Sequence, residues 1–228
     1  MHGRRLVQGS VLLLIASAGC LRVPPAGSRG AGAAADSAAT GSEGPEQPAS
    51  GEPRFSGEAA LARVEALMGW PRGLGDPSRG ESIEALARML EAAGAEQVER
   101  QALTAADPAT GELHALVNLV AHLRPDAPRR FVLATHFDTR PWADEEPDPA
   151  AHALPVPGAN DGTSGVAVVL ELVPTLARVL PADVGLTVIL FDGEELGRPG
   201  HGGYCMGSRY FAEQVAQQRP AWIERAEL

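Results

Sequence analysis

Cysteine is almost absent: the 228 residues hold two, Cys20 and Cys205. A multi-bridge disulfide framework is thereby excluded, and if Cys20 is lipidated no bridge can form within the chain at all. Stability must then come from the core and from metal. Cys205 reads as a packed small hydrophobe rather than a nucleophile, because no recognisable motif surrounds it. Basic charge is also scarce. Lys and Arg total 19 against 29 Asp and Glu, giving a formal net charge of -10 and a pI near 5.1. Nucleic-acid binders carry clustered basic surface, so nucleic acid is not an expected partner, and small molecules, peptides or cations suit the balance better. The N-terminal apolar run Val11–Ile15 is too short to span a membrane, and the chain contains no internal repeat. Between Leu21 and about Pro53 large apolar side chains are nearly missing, leaving little burial to offset the entropy of ordering that segment.

What is present divides the chain into three. His2, Arg4 and Arg5 precede the apolar run, and Ala16-Ser-Ala-Gly19 leads into Cys20, the order of an export signal. The small residues before Cys20 resemble a bacterial lipoprotein signal, whose cysteine is acylated and anchors the protein to a membrane. Ser17 stands where that pattern prefers Leu, so ordinary secretion stays open. Residues 1–20 are thus expected to be a signal peptide, 21–55 an Ala/Gly/Pro/Ser-rich tether, and 56–228 one folded domain in the bacterial cell envelope. About 170 residues suffice for one sizeable core and not comfortably for two.

Within the domain, Leu61, Val64, Leu67 and Met68 fall at helical spacing, and a second helix led by Ser82 carries Ile83, Leu86, Ala87 and Leu90 on one face and ends near Gly94. Val98–Leu103 reads as an outer strand and Leu113–Leu123 as its hairpin partner. Phe131–Thr135 forms a buried strand ending at His136. A helix broken into by Pro174 covers Gly162–Val179, the strand Leu186–Phe191 follows, and Gly207–Gln218 is a last helix. Strands alternating with helices imply an α/β domain whose sheet is covered on both faces.

Three acid-rich loops adjoin these elements: His136-Phe-Asp138, Gly158-Ala-Asn-Asp161-Gly162, and Glu194-Glu195 after Asp192-Gly193. Ligands of open α/β sheets bind beyond the carboxyl ends of strands, where these loops can converge. Residues two apart on a strand share a side, so Asp138 is expected to accept a hydrogen bond from the His136 ring and fix its tautomer, leaving the other nitrogen for a cation. Asp161 is either a cleft acid or a helix N-cap. Glu194 and Glu195 are either a wet charge pair or one metal ligand beside one general base.

The segments THFDTRPWAD (135–144), GANDGTSGVAVVLEL (158–172), LFDGEELG (190–197) and YCMGSRYFAE (204–213) resemble, in order and spacing, the zinc exopeptidases of metallopeptidase family twenty-eight. DTRPWAD and GSRYFA look most like the glutaminyl-peptide cyclotransferase branch. The resemblance implies a three-layer α/β/α sandwich with a mixed, mostly parallel sheet. In the aminopeptidase branch it implies two zinc ions bound by His136, Asp161 and Glu195, with Asp161 bridging and Glu194 as general base. In the cyclotransferase branch it implies one zinc held by Asp161, Glu195 and a late histidine, with Glu194 shuttling protons and His136 not ligating.

Three functions follow from it as expectations: conversion of N-terminal Gln to pyroglutamate with release of ammonia, hydrolysis of N-terminal residues, or an anchored binding protein that has lost catalysis. Peptide and protein N-termini are the expected partners. No histidine lies beyond His201, itself read as a solvated loop residue, and the strand that supplies a further Asp in the family has no counterpart before Leu228. The domain is therefore expected to be incomplete at its C-terminus, with an uncovered central strand prone to aggregation.

Overall fold

The run Val184–Phe191 is buried at all eight positions and forms a strand, β4. A strand without a solvent-facing residue has layers on both faces, so β4 fixes the middle of the molecule. The computed structural model describes residues 54–226; the signal ending at Cys20 and nearly all of the tether lie outside them.

Around β4 the sheet builds from two kinds of connection. β1 (Gln97–Ala106) and β2 (Leu113–Leu123) are joined by a short turn and pair antiparallel, Ala106 opposite Leu113. β2 runs antiparallel to β4, Leu119 opposite Leu190. On the other side β3 (Arg129–His136) lies parallel to β4, Arg129 opposite Val184 and His136 opposite Phe191, and the crossover between them carries helix α3 (Ser164–Val179). The order is β1-β2-β4-β3. The sheet is mixed, as expected. A parallel majority is not seen among the described strands, where only β3–β4 is parallel, because a tight hairpin reverses direction and only a long crossover preserves it.

Side chains alternate across β2 and β4 with period two. Leu119, Ala121, Leu186, Val188 and Leu190 face one core with Ile83, Leu86 and Leu90 of helix α2 (Arg79–Ala92), Val166, Leu170 and Val173 of α3, and Leu67 of helix α1 (Gly57–Met68). Val120, Ile189 and Phe191 face a smaller core with Phe211 of helix α4 (Met206–Gln218) and Trp222. The expected uncovered central strand is corrected by this arrangement: β4 has helices over both faces, and the edges of the described sheet are β1 and β3; along β3 Phe131 is 40% exposed and Arg130 bridges to Ala226. Helix α2 also starts earlier than Ser82. Asp76 accepts the Ser78 amide at 2.8 Å, turning the chain into the helix, and Ser82 is buried within it. Helix α1 is capped by the Ser56 hydroxyl, which accepts the Ala59 amide.

Candidate metal and proton-transfer site

Because β3 and β4 are parallel, their carboxyl ends share one rim, and His136 stands opposite Phe191. The chain after Phe191 turns back across the rim at Gly193, whose φ of 64° favours glycine, and presents Glu194 and Glu195. The fully buried Asp138 organises this turn. Its Oδ1 accepts the Glu194 amide at 3.2 Å and its Oδ2 the Glu195 amide at 2.9 Å. The expected hydrogen bond from the His136 ring is not made: Oδ1 lies 3.4 Å from Nδ1, and Nδ1 has no hydrogen-bond partner among the described residues. Two backbone donors orient the carboxylate, and the attraction to the ring is between charges.

On the other side of the ring, His136 Nε2 lies 3.0 Å from Asp161 Oδ1. Asp161 sits in the tight turn Ala159–Thr163 with extended backbone (φ -90°, ψ 117°), followed by Gly162 at φ 82°. A Cβ at Gly162 would lie 2.6 Å from the Asp138 carbonyl and 3.3 Å from the His136 ring, so the close approach requires glycine there. Asp161 does not cap α3: Thr163 occupies the cap position and no side chain bonds the first amides.

The ligand atoms of His136, Glu194 and Glu195 lie within 4.8 Å of one another, with Asp161 at the mouth, its side chain 51% exposed. Negative charge is crowded. Burial pushes the Glu195 carboxyl up to about 7, and Asp161, Glu194 and Asp138 add to the rise. For His136 burial acts to lower the ring's pKa, but Asp138 and Asp161 outweigh it and raise it to about 10. Asp161 is held below the ordinary carboxylate range, first by its bond to His136. A donor set of one imidazole and three carboxylates, with an imidazole nitrogen and two glutamates already in ligating proximity, fits a divalent cation such as zinc.

A cavity of 420 Å³ opens over this cluster, lined by Arg140, Asp144, Asp161, Glu194, Glu195 and Tyr204 among others. A larger cavity of 740 Å³ between Trp70–Pro77 and Pro155–Pro157 has Asp76 as its only acid, so the chemistry belongs to the smaller one.

Residues 118–227 match the family model "Peptidase family M28". They belong to peptidase family M28. All four site residues lie inside the M28 segment. The structure is similar to a glutaminyl cyclase of Bacteroides thetaiotaomicron bound to N-acetylhistamine, at 32% identity and a TM-score of 0.64, covering 71% of this chain and 57% of that one. A leucine aminopeptidase precursor from the same organism gives 32% and 0.64, covering 70% and 57%. A Zn-dependent exopeptidase from Parabacteroides distasonis gives 29% and 0.64, covering 70% and 56%. The chain therefore spans less than three fifths of these relatives' lengths. No curated protein matches.

Three residues in the M28 cavity had no role assigned in the sequence reading. Arg140 and Asp144 stand within the quoted DTRPWAD run at a spacing of four, the signal that pairs them; Tyr204 stands on the Arg140 guanidinium, 5.9 Å from its carbon to the ring centre. Cys205 is corrected rather than missed. It is half-buried, and its thiol donates to Glu194 Oε1 at 3.2 Å. Burial and Glu194 push that thiol up to about 11, keeping it a neutral donor instead of a nucleophile. Its backbone takes a left-handed conformation, φ 60°, at the start of α4. His201 is exposed in the Arg198–Gly202 loop and stands outside the cluster.

Proposed function

We propose that the protein is a zinc-dependent glutaminyl-peptide cyclotransferase that converts the N-terminal Gln of peptides to pyroglutamate with release of ammonia. The observation that carries the reading is the convergence of His136, Glu194 and Glu195 within 4.8 Å in an acidic cavity at the rim of the sheet. Likeness to a glutaminyl cyclase over 71% of the chain supports it.

Asp161 and Glu195 would hold the cation, with His136, which lies within ligating proximity here, taking the place of the late histidine of the cyclotransferase pattern. Zinc, when bound, supplies Lewis acidity to the substrate carbonyl. Glu194 is left for proton transfer. Its Oε1 is oriented by the Cys205 thiol, and its backbone is pinned by Asp138. In cyclisation the substrate's α-amine attacks its own γ-carboxamide carbon, forming the ring C–N bond as the bond to the amide nitrogen breaks. Glu194 takes the amine proton and delivers it to the departing ammonia, so no water is consumed. A positioned carboxylate in this role contributes about a hundredfold to ten-thousandfold. The acidic lining suits a substrate entering by its protonated N-terminus.

A second reading, an aminopeptidase in which Glu194 deprotonates water, is favoured by the equal likeness to the leucine aminopeptidase precursor. One zinc per chain belongs to the first reading and two to the second. Incubating the zinc-loaded chain with a Gln-initiated peptide separates them. Ammonia released at unchanged chain length supports cyclisation, released free amino acid establishes the peptidase, and neither product despite bound zinc leaves an anchored binding protein. Export and anchoring through Cys20 are part of the proposal, and Cys20→Ser is expected to abolish incorporation of labelled fatty acid.

A further inference from the structure

We propose that Arg140 is a positioning residue that sets which cation the site accepts, by holding carboxylate oxygens out of the coordination shell; this rests on the zinc reading above. Its Nε and Nη2 grip both oxygens of Asp144 at 2.8 and 2.7 Å. The remaining nitrogen, Nη1, reaches Glu195 Oε2 at 3.3 Å and the carbonyls of Glu195 and Gly197 at 3.4 and 3.2 Å. The guanidinium is flanked by Trp142 and Tyr204, with its carbon 5.8 and 5.9 Å from their ring centres, so the fork has little room to turn. Only 15% of its side chain is exposed.

Asp144 and Glu195 line the same cavity as Asp161 and Glu194. Without Arg140 the cavity would offer a cation both Asp144 oxygens and the second oxygen of Glu195. Many oxygens in a flexible set suit manganese or calcium, whereas few donors including an imidazole suit tetrahedral zinc. Arg140 keeps the set small: it neutralises Asp144 and leaves Glu195 one free oxygen.

The test measures zinc and manganese dissociation constants of the full metal-free chain by chelator competition, with circular dichroism confirming that each variant folds. Arg140→Gln is expected to lower the zinc-over-manganese affinity ratio about tenfold, the scale on which groups orienting metal ligands act. Asp144→Asn alone should leave the ratio near wild type, and R140Q/D144N should recover most of it, because the released carboxylate is gone. A purely structural role for Arg140 predicts no such recovery. Should R140Q not fold, Arg140→Lys keeps the charge without the fork and is expected to lower the ratio less. Wild-type zinc binding with a ratio unmoved in the folded variant, or a double variant no better than R140Q, overturns the inference alone. A folded wild type that binds no zinc overturns the zinc reading as well.

Discussion

His122 and His136 are both buried in the sheet, 3% and 8% exposed, yet their acidities move in opposite directions. His122 lies toward the amino-terminal half of β4, opposite Thr187, against Trp222 and near Arg130 and Arg225. Burial, reinforced by the two arginines, lowers its pKa to about 4. His136 stands at the carboxyl-end rim among carboxylates and is raised to about 10. At the lower end the surplus charge is positive and the fold answers it: Arg130, fully buried, donates to the carbonyls of Leu186 at 3.0 Å and Arg124 at 2.6 Å and to the Thr187 hydroxyl at 3.2 Å. At the rim the surplus is negative, and the carboxylates push Glu195 up toward neutrality instead of being matched. A charge satisfied by backbone is a structural device, whereas charge left crowded around an open cavity calls for a cation.

The largest effect that would sharpen this contrast is at Glu194. Glu194→Gln keeps the shape and removes the base, so turnover is expected to fall about a hundredfold to ten-thousandfold with little change in melting temperature. Retained full activity would end the proton-transfer assignment.

Asp138→Ala attacks the rim's scaffold. Two amides, of Glu194 and Glu195, lose their acceptor, and at about 1–3 kcal/mol for each buried orphan the chain should lose roughly 3 kcal/mol in denaturant melts, together with zinc affinity. An unfolding midpoint like the wild type's would show that the turn does not depend on Asp138.

The two histidines predict opposite pH slopes. His122 titrates near 6.5 when unfolded and near 4 when folded, so its neutral form is favoured by the fold. The associated stability is complete above about pH 6.5 and is lost as pH falls towards 4, up to about 3 kcal/mol. His122→Gln should flatten that acid-side loss. In the metal-free protein His136, raised from 6.5 to about 10, contributes stability that is complete below 6.5 and lost as pH rises towards 10. Zinc should suppress this second slope and leave the first untouched; a His122 slope that responds to zinc would mean the two ends are not independent.

The smallest effect is expected at the lower end. Arg130→Met replaces a buried cation by an apolar chain of similar length, and should cost about 1–2 kcal/mol, because the strand carbonyls it serves lose only one of their partners. Activity with a Gln-initiated peptide should not change. A large loss of turnover would contradict the division between a structural end and a functional rim.

Much of the fold was legible because burial imposes local patterns. Leu186–Phe191 reads as a central strand from its short, largely apolar run, which the structure extends back to Val184. Leu67, Ile83, Leu86 and Leu90 give two helices by their spacing, whereas Leu61, counted on the same face, is exposed. The start of α2 was misjudged because its signal, the Asp76 side chain turning onto the Ser78 amide, depends on chain direction that spacing does not encode. Of the site, His136, Asp161, Glu194 and Glu195 were legible from their loops. The partners that orient them were not: Asp138 was expected to serve the ring and serves two backbone amides, and Cys205 was expected to be a packed small hydrophobe and donates to Glu194.

By itself the sequence determined the strands and helices, the acidic balance and the four residues worth watching, because periodicity, charge and residue type are properties of the chain. Only the tertiary structure decided that, of two histidines with the same intrinsic acidity, His122 is kept neutral and His136 is held protonated, and that Arg140 stands between Asp144 and Glu195. Those outcomes depend on which groups lie within a few ångströms after the β3–β4 crossover closes, and electrostatic and hydrogen-bond energies are set by that distance and burial rather than by order along the chain.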